Sequence, residues 1–141
     1  MAGHLNYLSI VTAAVTSWLF GAIYYMYLGR RWIAAQGKTM ESLAAENAAK
    51  SSLAKAGTIV SSFVAELIMG AVIYGILTHS GLWSFNAGVV TGVLCWFGFV
   101  ATTVSVNYAY SGRSLMLTVI DSVHWLGALI LLGGIIGSGG P

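Results

Sequence analysis

LMLTVIDSVHWLGALILL, residues 115–132, is the stretch whose reading decides the fold. It is apolar enough to sit in a bilayer, yet it holds Asp121 and His124. Three residues apart, the two project from the same side of a helix. An ionisable side chain inside a transmembrane helix is costly and marks a candidate functional site. Its candidate partner is Glu66, which interrupts a second apolar run, TIVSSFVAELIMGAVIYGILT, residues 58–78.

The whole composition agrees with that stretch. Of 141 residues, 7% are charged and 57% hydrophobic, against roughly 25% charged in soluble domains. Such a chain cannot cover a soluble core with polar surface, so the bilayer is its solvent. The length suits one domain, residues 1–141. A net charge of +2 is too small, and too scattered, for a nucleic-acid protein. Cys95 is alone, which excludes an intrachain disulfide and a CxxC metal or redox site. The sole proline is Pro141, so no helix is kinked by proline. The opening MAGHLNYLSIVTAAV lacks a basic n-region and its apolar run is long for a signal peptide, so the first helix is expected to be retained.

A span needs about 20 apolar residues to cross roughly 30 Å of hydrocarbon. Four stretches satisfy this: approximately residues 7–28, 58–78, 83–106 and 115–137. In the first, Ala13, Ser17 and Gly21 form a small-residue stripe for close helix packing. Its end carries Tyr24, Tyr25, Tyr27 and Trp32 beside Arg30 and Arg31, an aromatic belt followed by a basic stop. In the second, Ser62, Glu66, Gly70 and Tyr74 share one face. In the third, Gly88 and Gly92 make a GxxxG, with Tyr108 and Tyr110 at one interface. In the fourth, Gly133 and Gly137 make another. The connector 29–57 is the one polar region of any length. Thr39 is the expected N-cap of a short helix within it, and Glu46 with Lys50 a helical ion pair. The expected fold is therefore all-α: an integral membrane four-helix bundle with a short cytoplasmic helical extension between helices 1 and 2.

All six basic residues fall in the first and third connectors: Arg30, Arg31, Lys38, Lys50, Lys55 and Arg113. Four spans put both connectors on one side. The positive-inside rule then places both termini on the non-cytoplasmic side. Arg30, Arg31 and Arg113 are candidate contacts to lipid or another anion. His4 and His79 fall at the outer ends and are expected to be solvated.

Helix rise puts Glu66 roughly 12 Å, Asp121 roughly 9 Å and His124 roughly 13 Å in from the same side. If the three meet, two carboxyls and an imidazole share one low-dielectric layer, where two ionised carboxylates are costly. Two readings stand open. One is a titratable ion, proton or ligand site. The other is a closed hydrogen-bond cluster that fixes helix register. Haem or chlorophyll ligation through His124 is a further alternative; otherwise no cofactor is expected. No catalytic residue or metal motif is expected, since no nucleophile–base set is present.

The stretches NYLSIVTAAVTSWLFGAIYYMYLGRRWIAAQG (6–37) and NYAYSGRSLMLTVIDSVHWL (107–126) carry a resemblance over nearly the whole length. They resemble a bacterial membrane family known as domain of unknown function 1761. The resemblance implies four membrane helices in the bacterial inner membrane and no established activity. Small-residue stripes on every span suggest a homo-oligomer. The expected role is an oligomeric structural or accessory subunit of a membrane assembly, with a larger membrane complex as a candidate partner. The alternatives are a proton- or ion-coupled conduit using Glu66, Asp121 and His124, and a lipid-, quinone- or pigment-binding protein.

Overall fold

Helix α1 (Tyr7–Ala35) starts where the Asn6 side chain accepts from the Ser9 amide, satisfying one of the first-turn donors that a helix leaves free. It runs on past Leu28, because residues 29–35 hold no proline and only one glycine. Thr39 caps α2 (Met40–Ala49) through reciprocal bonds with Ser42, a capping box built on a serine hydroxyl. Ser51 caps α3 (Ser52–Ser80), which begins well before residue 58 and ends on Gly81 at φ 69°. That left-handed cap favours glycine, which has no Cβ to clash. Ser84 opens α4 (Phe85–Tyr110), whose middle turn, Trp96–Ala101, is π-helical. Ser114 caps α5 (Leu115–Gly139). The computed structural model describes residues 6–141, so His4 lies outside the described residues.

The structure is all helix, with no strand among the described residues, and α1, α3, α4 and α5 are each long and apolar enough to cross a membrane. The polar connector contracts to residues 36–51 around α2. Chain direction alternates: α1 and α4 run one way, α3 and α5 the other. Ser114 Oγ donates to the Ala35 carbonyl at 2.7 Å, and Asn6 Nδ2 donates to the Gly139 carbonyl at 3.3 Å. These bonds tie α1 to α5 at both ends. The six basic residues therefore gather at one end of the bundle, called here the basic end, and Asn6 and Gly139 at the other.

Helix α5 is the hub and packs against α1, α3 and α4. Its seam with α4 is the tightest in the molecule. A Cβ on Gly88 would run into the Gly133 carbonyl, and one on Gly133 into the Gly88 carbonyl. Gly92 meets the Leu129 carbonyl and Gly137 the Ser84 carbonyl in the same way. In a bilayer, apolar burial between helices gains little over contact with lipid. Close backbone approach, with dispersion and Cα–H···O contacts, is what holds such a seam. The GxxxG of the third span and that of the fourth are thus the two halves of one joint. Toward the Gly81 end, Ile10, Ile73, Tyr74, Leu77, Leu132 and Ile136 fill the space between α1, α3 and α5.

Helix α2 lies outside this core with no buried residue. Lys38 Nζ donates to Glu46 Oε2 at 2.7 Å, so Glu46 pairs with Lys38 rather than with Lys50. That bond holds the Glu46 carboxyl below the usual glutamate range.

Candidate functional site

Asp121 sits in the second turn of α5, 8% exposed. Its Oδ1 accepts from the Tyr25 hydroxyl at 2.7 Å and from Trp32 Nε1 at 3.0 Å. Its Oδ2 accepts from the Tyr108 hydroxyl at 2.7 Å. One carboxyl is thus held by three neutral donors, two from α1 and one from α4. Tyr24 adds a bond from its hydroxyl to the Ile120 carbonyl at 2.8 Å. The aromatic residues read as interface belts are the donors of this network. A buried Tyr hydroxyl or Trp N–H needs a partner, and the acid in α5 supplies it.

The π-helical turn makes the Tyr108 bond possible. Trp96 faces α5 and donates Nε1 to the Ser122 carbonyl at 2.7 Å. In an unbroken α-helix, at about 100° per residue, Tyr108 would point roughly 120° away from Trp96. A π turn takes up one extra residue, which brings Tyr108 back to within roughly 20° of the Trp96 face.

His124 stands one turn further along α5, 6% exposed. It is packed among rings: Tyr25 at 4.8 Å, Trp125 at 4.8 Å and, stacked nearly parallel, Phe20 at 6.1 Å between centroids. Its Nδ1 is buried with no hydrogen-bond partner among the described residues. Its Nε2 lies against Gly21, where a Cβ would come within 2.7 Å.

Glu66 is buried at 3% exposure and is the central residue of α3, roughly 21 Å from either end. Its Oε2 accepts from Ser17 Oγ at 2.8 Å. That hydroxyl also lies 3.3 Å from the Ala128 carbonyl of α5. Glu66 is therefore level with Ala128, two turns or roughly 10 Å deeper than Asp121. The three polar residues form a ladder along the bundle, not a single layer.

The structure nevertheless brings two of them to one place. Glu66 and His124 line a single cavity of about 320 Å³ between α1, α3 and α5. Trp18, Gly21, Tyr25 and Trp125 line it as well, and its exposed lining residues, Ala22 and Ser62, mark the mouth. Trp18 Nε1 donates to Ser62 Oγ at 3.0 Å, fixing one indole at the mouth. Asp121 lines a separate, smaller cavity of about 130 Å³ at the basic end, with Trp32, Gln36, Tyr108 and Arg113. Tyr25 links the two. It lines the first cavity and donates to the acid that lines the second.

Arg30, Arg31 and Arg113 are exposed at the basic end. Lys38–Glu46 is the one ion pair among the described residues, so Arg113 does not bridge to Asp121. His79 is exposed, with Nδ1 2.7 Å from the Gly75 carbonyl. No three His, Cys, Asp or Glu side chains among the described residues converge as metal ligands.

No curated protein and no solved structure matches the chain. A family model does match, over residues 8–137, which is nearly the whole length and takes in α1 through the body of α5. The chain belongs to the family described as Protein of unknown function (DUF1761).

Proposed function

We propose that the protein binds an amphipathic molecule dissolved in the bilayer and lodges its polar head between α1, α3 and α5. One observation carries this reading. A buried carboxyl and a buried imidazole line the same cavity at mid-helix depth, between two indoles, with the mouth on an outward face of α1 and α3. Ligand sites are typically apolar clefts of about 300–1,000 Å³ with a few convergent polar groups, and this cavity has that make-up at the small end of the range. An accessory subunit needs no such cavity. A conduit needs a continuous polar path, whereas Asp121 is occupied by its three donors.

The proposal includes a multi-pass arrangement in the bacterial inner membrane with both termini outside. The gathering of six basic residues at one end supports that orientation.

Native mass spectrometry of protein extracted in mild detergent tests the binding reading. A small apolar molecule should accompany the wild type and be lost in Ala22→Phe, which fills the mouth. Absence of any bound molecule, with no hydrophobic probe altering Trp18 and Trp125 emission in nanodiscs, would overturn it.

A further inference from the structure

We propose that the head group taken by the Glu66 cavity is a monovalent organic cation, an ammonium centre carrying apolar groups. This rests on the binding reading above and names its ligand class. The argument starts from charge. Glu66 is the only acidic side chain lining the cavity, and no Lys or Arg lines it. The basic residues sit at the basic end; the nearest along α3, Lys55, is roughly 16 Å of helix away. Within the chain the Glu66 carboxyl receives one neutral donor, Ser17. A carboxyl at this depth with no Lys or Arg beside it either keeps its proton or is paired by a cation, and a ligand entering the cavity can supply that cation.

The rest of the wall fits the same chemistry. Trp18, Tyr25 and Trp125 line the same cavity as the carboxyl, and a desolvated ammonium over an aromatic face gains cation–π attraction. The indole N–H of Trp18 is already used on Ser62 and the hydroxyl of Tyr25 on Asp121. Both side chains therefore offer ring surface rather than donors. A neutral carbonyl head would find one candidate donor, the His124 ring, and would leave the acid as it is. A metal ion would find too few ligands among the described residues. The mouth beside Ala22 and Ser62 lets apolar substituents stay in the lipid while the cationic centre reaches Glu66.

Phenyltrimethylammonium and tert-butylbenzene test this directly, since they differ only by N⁺ in place of C. The full-length protein is placed in nanodiscs of phosphatidylglycerol. Binding is followed by Trp emission, referenced to the probe present in the bilayer. The cation should bind wild type at least about tenfold more tightly than its isostere. Glu66→Gln keeps the volume and an acceptor for Ser17. It should lower cation affinity by about tenfold or more while leaving the isostere unchanged. Ala22→Phe should abolish both. Equal or tighter binding of the isostere to wild type, or an unchanged cation affinity in Glu66→Gln, overturns the cation assignment but leaves the binding reading standing. Failure of both probes to bind overturns both. Repeating the titration with phosphatidylethanolamine in the nanodisc separates two sources of the same chemistry. Competition by that lipid assigns the site to a lipid ammonium, and its absence to a free lipophilic cation.

Discussion

The imidazole of His124 occupies the room that a side chain at residue 21 would need: a Cβ there would lie 2.7 Å from Nε2. Gly21 thus sets where the ring stands in the cavity. Gly21→Ala should force the imidazole, wedged among Tyr25, Trp125 and Phe20, out of its packing. Overpacking of this kind costs about 1–3 kcal/mol. Denaturant titration in mixed micelles measures it, and an unchanged midpoint would show that the ring moves aside freely.

The α4–α5 joint gives a contrast between glycines. Gly88 and Gly133 each face the other's carbonyl, with rigid backbone on both sides. Gly88→Ala and Gly133→Ala should lower stability by about 3 kcal/mol or more, the upper end of overpacking costs. Gly75, also within a span, has nothing within 4 Å of a built Cβ. Gly75→Ala should be neutral or stabilise by up to about 1 kcal/mol through helix propensity. Equal effects at the three sites would mean that the seam is looser than this geometry requires.

Asp121 accepts three hydrogen bonds, and the aspartate-to-asparagine change is informative because it keeps the shape. One oxygen becomes an NH₂ group that must face a Tyr or Trp donor. Asp121→Asn should then lose about 1–3 kcal/mol, the usual penalty for a buried donor left without an acceptor. Tyr25→Phe removes one donor and should cost nearer 1 kcal/mol. Since the Tyr25 ring also lines the cavity, its emission-detected binding should persist. Wild-type stability in Asp121→Asn would show that the three donors find other acceptors.

Outside the spans, the Lys38–Glu46 pair carries a pH dependence whose sign is set. Lys38 holds the Glu46 carboxyl below its usual range. A group depressed in this way adds stability above its unfolded pKa and loses it as pH falls through the folded value. Both partners are largely solvated, so the effect is small and screened by salt. Amide exchange within α2, corrected for intrinsic rates, should therefore quicken only in the acid range at and below ordinary glutamate titration. Glu46→Gln should remove that step; a step surviving in the variant would assign it to another group.

The bundle was legible because membrane helices announce themselves one at a time. Four apolar runs and six basic residues need no tertiary information. The helix ends were less so: Ser51 caps α3 in a polar stretch where apolar character has already faded, and α1 continues through Arg30 and Arg31 as readily as through leucine. The site was half legible. Glu66 and His124 stand out as costly residues in apolar runs, yet their separation from Asp121 depends on the relative heights of α3 and α5, which no local pattern encodes. Tyr25, Trp32 and Tyr108 carried a signal that the belt reading absorbed. Tyr25 and Trp32 are seven residues apart on one face, and each has a polar atom seeking a partner. The small-residue stripes read as close-packing surfaces do pack within the chain: Ala13, Ser17 and Gly21 are buried, and the two GxxxG motifs face each other.

The π turn in α4 had no sequence mark, being neither proline nor a polar break, and its role is open to a direct test. Gly98 lies within it, exposed and with nothing around a built Cβ. Removing Gly98 should let the turn relax to α geometry without disturbing a packed side chain. With one residue fewer, an unbroken α-helix still puts Tyr108 roughly 20° from the Trp96 face, so the second half of α4 keeps its facing and Tyr108 keeps Asp121. A double-mutant cycle reads this out. In the full chain Tyr108→Phe should cost about 1 kcal/mol, the net worth of the bond at 2.7 Å. In the chain lacking Gly98 the same change should cost as much. A Tyr108→Phe penalty that disappears with the deletion would show that the π turn is not the one-residue insertion that sets the facing of Tyr108.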